Sequence, residues 1–238
     1  MEQAVRKIAL LGMGTVGGGV YEIIEKQKEE MPFKIGAALE VVKVLVRNKA
    51  KYADRIPAEK LTDVWEDVIG DDSIDIVVEV MGGIEPARTY IKAALEKGKH
   101  VVTANKDLMA MHGHELLELA GERHCDLPFE AAVAGGIPII RPLKQCLTGN
   151  NITEIMGIIN GTTNFILTKM THEGMEFDEA LALATELGYA EADPTADIEG
   201  YDAGRKMAIM ASIAFNSRVT FDDVYTEGIT NITAKDIK

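Results

Sequence analysis

The chain has 238 residues, 47% hydrophobic and 26% charged, and its 25 basic and 38 acidic residues leave a net charge of −13. That composition argues against a disordered chain, and the negative charge argues against a surface for nucleic acid or anionic lipid. No apolar run reaches the roughly 18 residues of a membrane span, and the apolar core of the N-terminal MEQAVRKIALLGMG is too short for a secretory signal. Cys125 and Cys146 are too few for a disulfide framework, so the expected setting is reduced and cytoplasmic.

The first half alternates strand-like and helix-like segments. Residues 7–11 form a buried-strand run that ends in GMGTVGGGV, and YEIIEKQKEE after it reads as helix. LEVVKVLV at 39–46 and IDIVVEV at 74–80 are strands by β-branched content, the second followed by Met81-Gly82-Gly83 and a helix from about Pro86. HVVTANK at 100–106 is the next strand and turn, residues 107–121 read as helix, and LPFEAAV at 127–133 reads as strand. This order predicts an α/β fold, a Rossmann-type doubly wound parallel sheet with crossover helices.

The second half changes character. NITEIMGII at 151–159 is a strand candidate, and Asn160-Gly161-Thr162-Thr163-Asn164 carries helix-start chemistry. DEALALATEL at 178–187 is a helix stopped by Gly188. The acidic loop YAEADPTADIEG follows, then a helix over 201–215. We therefore expect a dinucleotide-binding domain over residues 1–140 and a smaller α+β substrate or dimerisation domain over 141–238.

Gly12-Met13-Gly14-Thr15-Val16-Gly17 fits G-x-G-x-x-G in the context that gives it meaning, after a strand and opening a helix. Gly12 permits the tight turn, Gly14 lets a pyrophosphate approach the backbone, and Gly17 lets helix and strand pack closely. The phosphate would rest on the helix amides beside Thr15 and Val16. A glycine-rich turn without a ligand is the alternative. At the end of the second strand, where an NAD site usually carries a carboxylate, this chain has Arg47-Asn48-Lys49 with Lys51 beyond. Cations there suit the 2′-phosphate of NADP, with NAD still possible; a solvated basic loop is the alternative. Gly82, Gly83 and Thr103 follow later strand ends, where the ligand crevice of such a sheet lies, or else they are turn residues only.

Lys106 follows a strand and faces the same crevice, where it could steer a carboxylate or relay a proton; a surface lysine is the alternative. The richest cluster is Glu191, Asp193, Asp197, Glu199, Asp202 and Lys206. Asp202 and Lys206 stand four apart and share a helix face, either as a plain salt bridge or as a tunable lysine among carboxylates that could hold an amino group. The five histidines show no metal spacing, and no G-x-S-x-G or Cys–His signature is present.

GMGTVGGGV, VVTANK, FEAAVAGGIPIIRPL, IINGTTNFIL and YAEADPTADIEGYDAGRKMAIMA together make the chain resemble homoserine dehydrogenases over almost its whole length. The long acidic block is the most specific of these stretches and the glycine fingerprint the least. The resemblance implies reversible NAD(P)-dependent interconversion of L-aspartate 4-semialdehyde and L-homoserine, a step toward threonine, methionine and isoleucine. It implies Lys206 as the acid–base lysine, Lys106 as a second active-site lysine near substrate and nicotinamide, and Glu191, Asp202 and Asp197 as substrate-binding carboxylates. It also implies a homodimer, and a sodium-type site on Glu130, Val133, Gly135 and Ile137, where carbonyl oxygens suit a hard cation. Members of that family continue beyond a point like Lys238, so the substrate domain is expected to be incomplete here. A non-catalytic NADP-binding protein and another semialdehyde oxidoreductase stay open as readings. The lysines and carboxylates weigh against the first, and the lack of an evident catalytic cysteine weighs against a phosphorylating form of the second.

Overall fold

In the first strand, β1 (Val5–Leu11), Ile8 and Leu10 pack into one apolar cluster while Ala9 and Leu11 pack into another. A strand buried on both faces belongs in the middle of a sheet covered by helices on either side. The computed structural model, which describes residues 4–237, places it there. The first three residues of the N-terminal run, and Lys238, lie outside the described residues.

From β1 the chain passes through α1 (Thr15–Lys26) and the short α2 (Met31–Ile35) to β2 (Ala38–Leu45). It continues through β3 (Leu61–Thr62), α3 (Glu66–Ile69), β4 (Ile76–Glu79), α4 (Ala87–Glu96), β5 (His100–Thr103) and α5 (Lys106–Glu122). The sheet is parallel throughout in the order β3-β2-β1-β4-β5. This is the doubly wound Rossmann-type arrangement expected. Ile24 of α1 joins Val41, Val44 and Val78 on one face, and Ile91 and Leu95 of α4 with Leu108 and Leu116 of α5 join Val77 and Val101 on the other. Because the connections leave β1 toward β2 on one side and β4 on the other, a crevice opens at the carboxyl ends of β1 and β4.

Helices α4 and α5 are also tied by charge. Glu115 accepts from Arg88 Nη2 at 2.7 Å and from Lys92 Nζ at 2.6 Å. Those hydrogen bonds, from Lys92 first and Arg88 second, pull its carboxyl down to about 2. A lowered folded-state value stabilises the fold above the unfolded carboxylate range and is lost as pH falls toward 2. With the Glu115 side chain 36% exposed, screening limits the effect. Glu115→Gln is expected to cost at most about 1 kcal/mol at neutral pH and nothing near pH 2, as read by urea unfolding at the two pH values.

Two expected strands do not form. At the start of the segment expected over 127–133, Val101 donates to the carbonyl of Asp126 just ahead of it and Thr103 to that of Pro128, both at 3.0 Å. The run follows β5 that far, but Pro128 has no N–H to return, and a 3₁₀ turn at Glu130–Ala132 ends it. The segment expected over 151–159 is not a strand either: it is largely exposed, with Met156 at 86% and Ile158 at 78%. Extended chain of that kind becomes a strand only when a neighbour accepts its ladder bonds.

The chain divides into two compact units between Ala132 and Val133, ahead of the expected 140/141 boundary. In the second unit, α6 (Gly161–Glu173), α7 (Phe177–Glu186), α8 (Thr195–Ile198) and α9 (Tyr201–Ala214) are helical. Ile166 and Met170 of α6 pack on Ala180 and Ala184 of α7, with Ile198, Ile229 and Ile232 closing the cluster. Among the described residues this unit has no strand and is built of helices and loops, so the α+β character expected for it is not seen, the 151–159 segment having no strand beside it to pair with. No helix among the described residues is long and apolar enough to cross a membrane.

Candidate functional site

The first unit holds a cleft of about 590 Å³ at the carboxyl ends of β1, β2 and β4. Gly12, Met13 and Gly14 form one wall, Arg47, Asn48, Lys51 and Tyr52 a second, and Met81, Gly82 and Pro86 a third. A smaller recess beside it, about 470 Å³, is lined by Gly14, Thr15, Gly18, Gly19, Lys51 and Arg55.

The glycines at the mouth are required by contact. A Cβ on Gly12 would meet the Val80 carbonyl at 2.8 Å, and Gly12 sits at φ +98, where side chains are strained. A Cβ on Gly17 would lie 2.2 Å from the Gly12 carbonyl oxygen, so Gly17 is what lets α1 press on the turn. Gly14 has nothing within 4 Å and faces the open cleft. It also caps α1, without a side-chain cap bond. Uncapped amides at a helix start are a ready anion site, which is the chemistry a pyrophosphate needs. Val16 is half exposed on the same first turn.

The basic loop splits into two kinds of cation. Lys49 donates to Asp63 at 2.7 Å, and that hydrogen bond holds the Asp63 carboxyl below the usual range. Arg47 and Lys51 line the cleft, Lys51 lying over the Tyr52 ring at 5.5 Å. Tyr90, another lining residue, stacks on Trp65 with ring centroids 4.2 Å apart and planes 11° apart.

Gly82 lines the cleft, whereas Gly83 and Thr103 enter it through bonds behind its wall. The Thr103 hydroxyl, on a residue 1% exposed, donates to Glu79 Oε2 at 2.7 Å and accepts from the Asn105 amide at 3.0 Å. The other Glu79 oxygen accepts from the Met81 amide at 2.8 Å. Asn105 Nδ2 donates to the Gly83 carbonyl at 2.6 Å, and its Oδ1 caps α5 by accepting from the Leu108 amide at 3.1 Å. Lys106 is the first residue of the helix so capped.

In the second unit, Asp202 and Lys206 share one face of α9 as expected, with Nζ 2.6 Å from Asp202 Oδ2. Lys206 Nζ also donates to the Ile159 carbonyl at 2.7 Å. Asn160 caps α6 through its Oδ1 and sends its Nδ2 to Asp197 Oδ1 at 2.7 Å and Asp202 Oδ2 at 2.9 Å. Asp202 and Asn160 are buried and Lys206 nearly so. The result is an ammonium held by two acceptors, with two carboxylates held by one amide. It can present positive charge and a proton to a developing anion, and negative charge to an amine. Glu191 sits exposed on the loop after α7, apart from these bonds, and Asp193 is spent on a local turn, accepting from the Thr195 amide and hydroxyl.

The sequence reading passed over Asn160 as a site residue, although an Asn directly ahead of a helix start was the visible signal. It also passed over Glu79, which inside a β-branched strand looks like one more strand residue. The four positions of the expected cation site fall on both sides of the division between units. Glu130 lies in the 3₁₀ turn that ends the first unit. Ala134 and Gly135, at φ 61 and 54, give the second unit a left-handed turn in which the Ala134 carbonyl accepts from Ile137 N–H at 3.0 Å. Among the described residues there is no group of three or more His, Cys, Asp or Glu that could hold a metal ion. Both cysteines are free, and burial raises the Cys125 thiol above its ordinary value.

Residues 12–130 match the family model described as homoserine dehydrogenase, NAD binding domain, and residues 138–238 match the model described as homoserine dehydrogenase. The homoserine dehydrogenase of Bacillus subtilis (strain 168) is 50% identical over 97% of this chain and 54% of its own length. A crystal structure of a homoserine dehydrogenase from Thiobacillus denitrificans superposes with a TM-score of 0.93 at 47% identity, covering 98% of this chain and 55% of that one. A hyperthermophilic archaeal homoserine dehydrogenase in complex with NADPH superposes with a TM-score of 0.82 at 30% identity, covering 96% and 75%. The chain spans about half the length of the curated relatives it matches.

Proposed function

The chain belongs to the homoserine dehydrogenase family, and on that premise we propose that the whole protein interconverts L-homoserine and L-aspartate 4-semialdehyde with a nicotinamide cofactor. The step is an oxidoreduction at a CH–OH group in the formation of threonine, methionine and isoleucine. The observation that supports it most is Lys206, nearly buried and anchored to Asp202 and the Ile159 carbonyl. A surface salt bridge needs no such second anchor.

The nicotinamide, when bound, supplies or removes the hydride at the substrate carbon. Gly12, Gly14 and the first turn of α1 hold the pyrophosphate, and Met81 and Gly82 wall the far end of the cleft. In reduction the carbonyl oxygen gains negative charge. Lys206 stabilises that charge and gives a proton to the oxygen. In oxidation the same amine must be neutral to take the hydroxyl proton, so alkaline pH favours that direction. Asp202 and Asp197 are assigned to the substrate ammonium with Glu191, and Lys106 to the substrate carboxylate or the reacting oxygen. Holding both ends of a small substrate is what brings its carbon to the reacting position.

We read the cofactor as NADP ahead of NAD. Arg47 lines the cleft, and Asp63, a lining carboxylate, is already neutralised by Lys49. Arg47→Ala is expected to weaken NADPH binding about tenfold while barely moving NADH. Equal loss for both cofactors in titration calorimetry overturns the 2′-phosphate assignment. We also propose sodium on the Glu130, Val133, Gly135 and Ile137 stretch. Backbone carbonyls of that stretch would supply the oxygen that a hard cation prefers. A homodimer follows on the same reading, with the exposed 151–159 segment gaining its missing strand neighbour from a second copy, as does a cytoplasmic setting.

The test follows reduced-cofactor absorbance during homoserine oxidation by the 238-residue chain, with NADP and NAD run in parallel. Homoserine-dependent reduction, faster with NADP, is expected. NADP binding without turnover keeps the cleft assignment and refutes the sufficiency of these residues for catalysis.

A further inference from the structure

Glu79 is 0% exposed, does not line the cleft, and has no part in the proposed chemistry. A buried carboxylate is costly unless every part of it is bonded, and an apolar residue would fill the same space without that cost. Here both oxygens are bonded, one to the loop after β4 and the other to the end of β5.

The geometry follows from the sheet. Glu79 and Thr103 are register partners on β4 and β5, so their side chains meet at the carboxyl end of the strands. From that point Oε1 holds the Met81 amide of the cleft wall. Oε2 holds the Thr103 hydroxyl, which in turn holds the Asn105 amide. Asn105 then closes the circuit, donating back to Gly83 behind the wall and capping α5 one residue before Lys106. The hydroxyl is the pivot: it donates one way and accepts the other, which a valine of the same shape cannot do.

We propose that Glu79 and Thr103 are positioning residues that lock the Met81–Gly83 wall and the first turn of α5 into one unit, so that a cofactor filling the cleft also fixes Lys106. This rests on the cleft being the cofactor's. It assigns the Thr103 side chain to support of the site and not to ligand contact.

The experiment is amide hydrogen exchange on the 238-residue chain, with and without NADPH, for wild type, Thr103→Val and Thr103→Ser. Without cofactor, Thr103→Val is expected to speed exchange at Met81, Asn105 and Leu108 together, about tenfold, and to leave Gly12 unchanged; Thr103→Ser, which keeps the hydroxyl, restores the wild-type rates. With NADPH, wild type is expected to gain protection at both Met81 and Leu108, and Thr103→Val at Met81 alone. Acceleration confined to Asn105, or Leu108 protection retained in Thr103→Val, overturns the proposal. Should Thr103→Val not fold, Glu79→Gln is read against the same amides. Failure of NADPH to protect Met81 in wild type refutes the cofactor reading of the cleft, while the cofactor-free rates still decide whether the two loops are locked.

Discussion

Lys206→Met is expected to remove most of the turnover, by about 10²–10⁴-fold, while NADPH affinity stays close to wild type. The methionine keeps the apolar stem that packs along α9 and deletes only the ammonium. The cofactor cleft is lined by residues of the first unit, so it does not depend on that ammonium. The variant has a structural cost too, since Asp202 Oδ2 loses a partner at 2.6 Å and keeps Asn160 at 2.9 Å. Removing one member of a buried ion pair costs about 3–5 kcal/mol when nothing else satisfies the partner, and Asn160 reduces that. Lys206→Arg separates the two effects. It retains a cation beside Asp202 but cannot lose a proton at accessible pH, so the fold is expected to recover and oxidation of homoserine is not. Full turnover in folded Lys206→Met, measured by steady-state kinetics beside a thermal melt, removes this residue from the mechanism.

A methyl at Gly17 is expected to cost about 3 kcal/mol or more and to abolish NADP binding with it. Its carbon would sit 2.2 Å from a backbone oxygen, where no side-chain movement relieves the clash. Gly14→Ala provides the contrast. Nothing lies within 4 Å of that methyl, so stability in urea unfolding is expected to shift by less than about 1 kcal/mol. The methyl does stand in the approach of a pyrophosphate, so NADPH affinity in calorimetry is expected to fall about tenfold or more. Unchanged affinity in Gly14→Ala overturns the placement of the pyrophosphate on this turn.

Much of the fold was legible because its signals are local. The strands at Val5–Leu11, Ala38–Leu45 and Ile76–Glu79 are rich in Val, Ile and Leu, and each is followed by a glycine, a basic turn or another break. Asn160 announces α6 by ordinary capping chemistry. What escaped depends on distant partners. The two-residue strand Leu61–Thr62 is too short to show a period, and it exists because β2 offers an edge. Residues 151–159 have the composition of a strand, but a strand needs something beside it. The same holds for the site. The pairing of Asp202 with Lys206 follows from a spacing of four. By contrast, the capture of Lys49 by Asp63, and of Asp197 and Asp202 by one asparagine amide, joins residues far apart in sequence. Glu79 was hidden for a different reason: at the end of an apolar strand, only the neighbour across the ladder reveals what its carboxylate is for.

The stack of Trp65 on Tyr90 has an optical consequence. Trp65 is the single tryptophan of the chain, so all indole emission comes from one position. Its partner ring lines the cleft, and reduced nicotinamide absorbs where indole emits. On the proposed assignment of this cleft, excitation of that indole is expected to pass to reduced nicotinamide bound there, dimming one emission band and brightening the other, whereas the oxidised cofactor would accept none of it. On that assignment the chain carries its own fluorescent gauge of reduced-cofactor occupancy, with no label to attach.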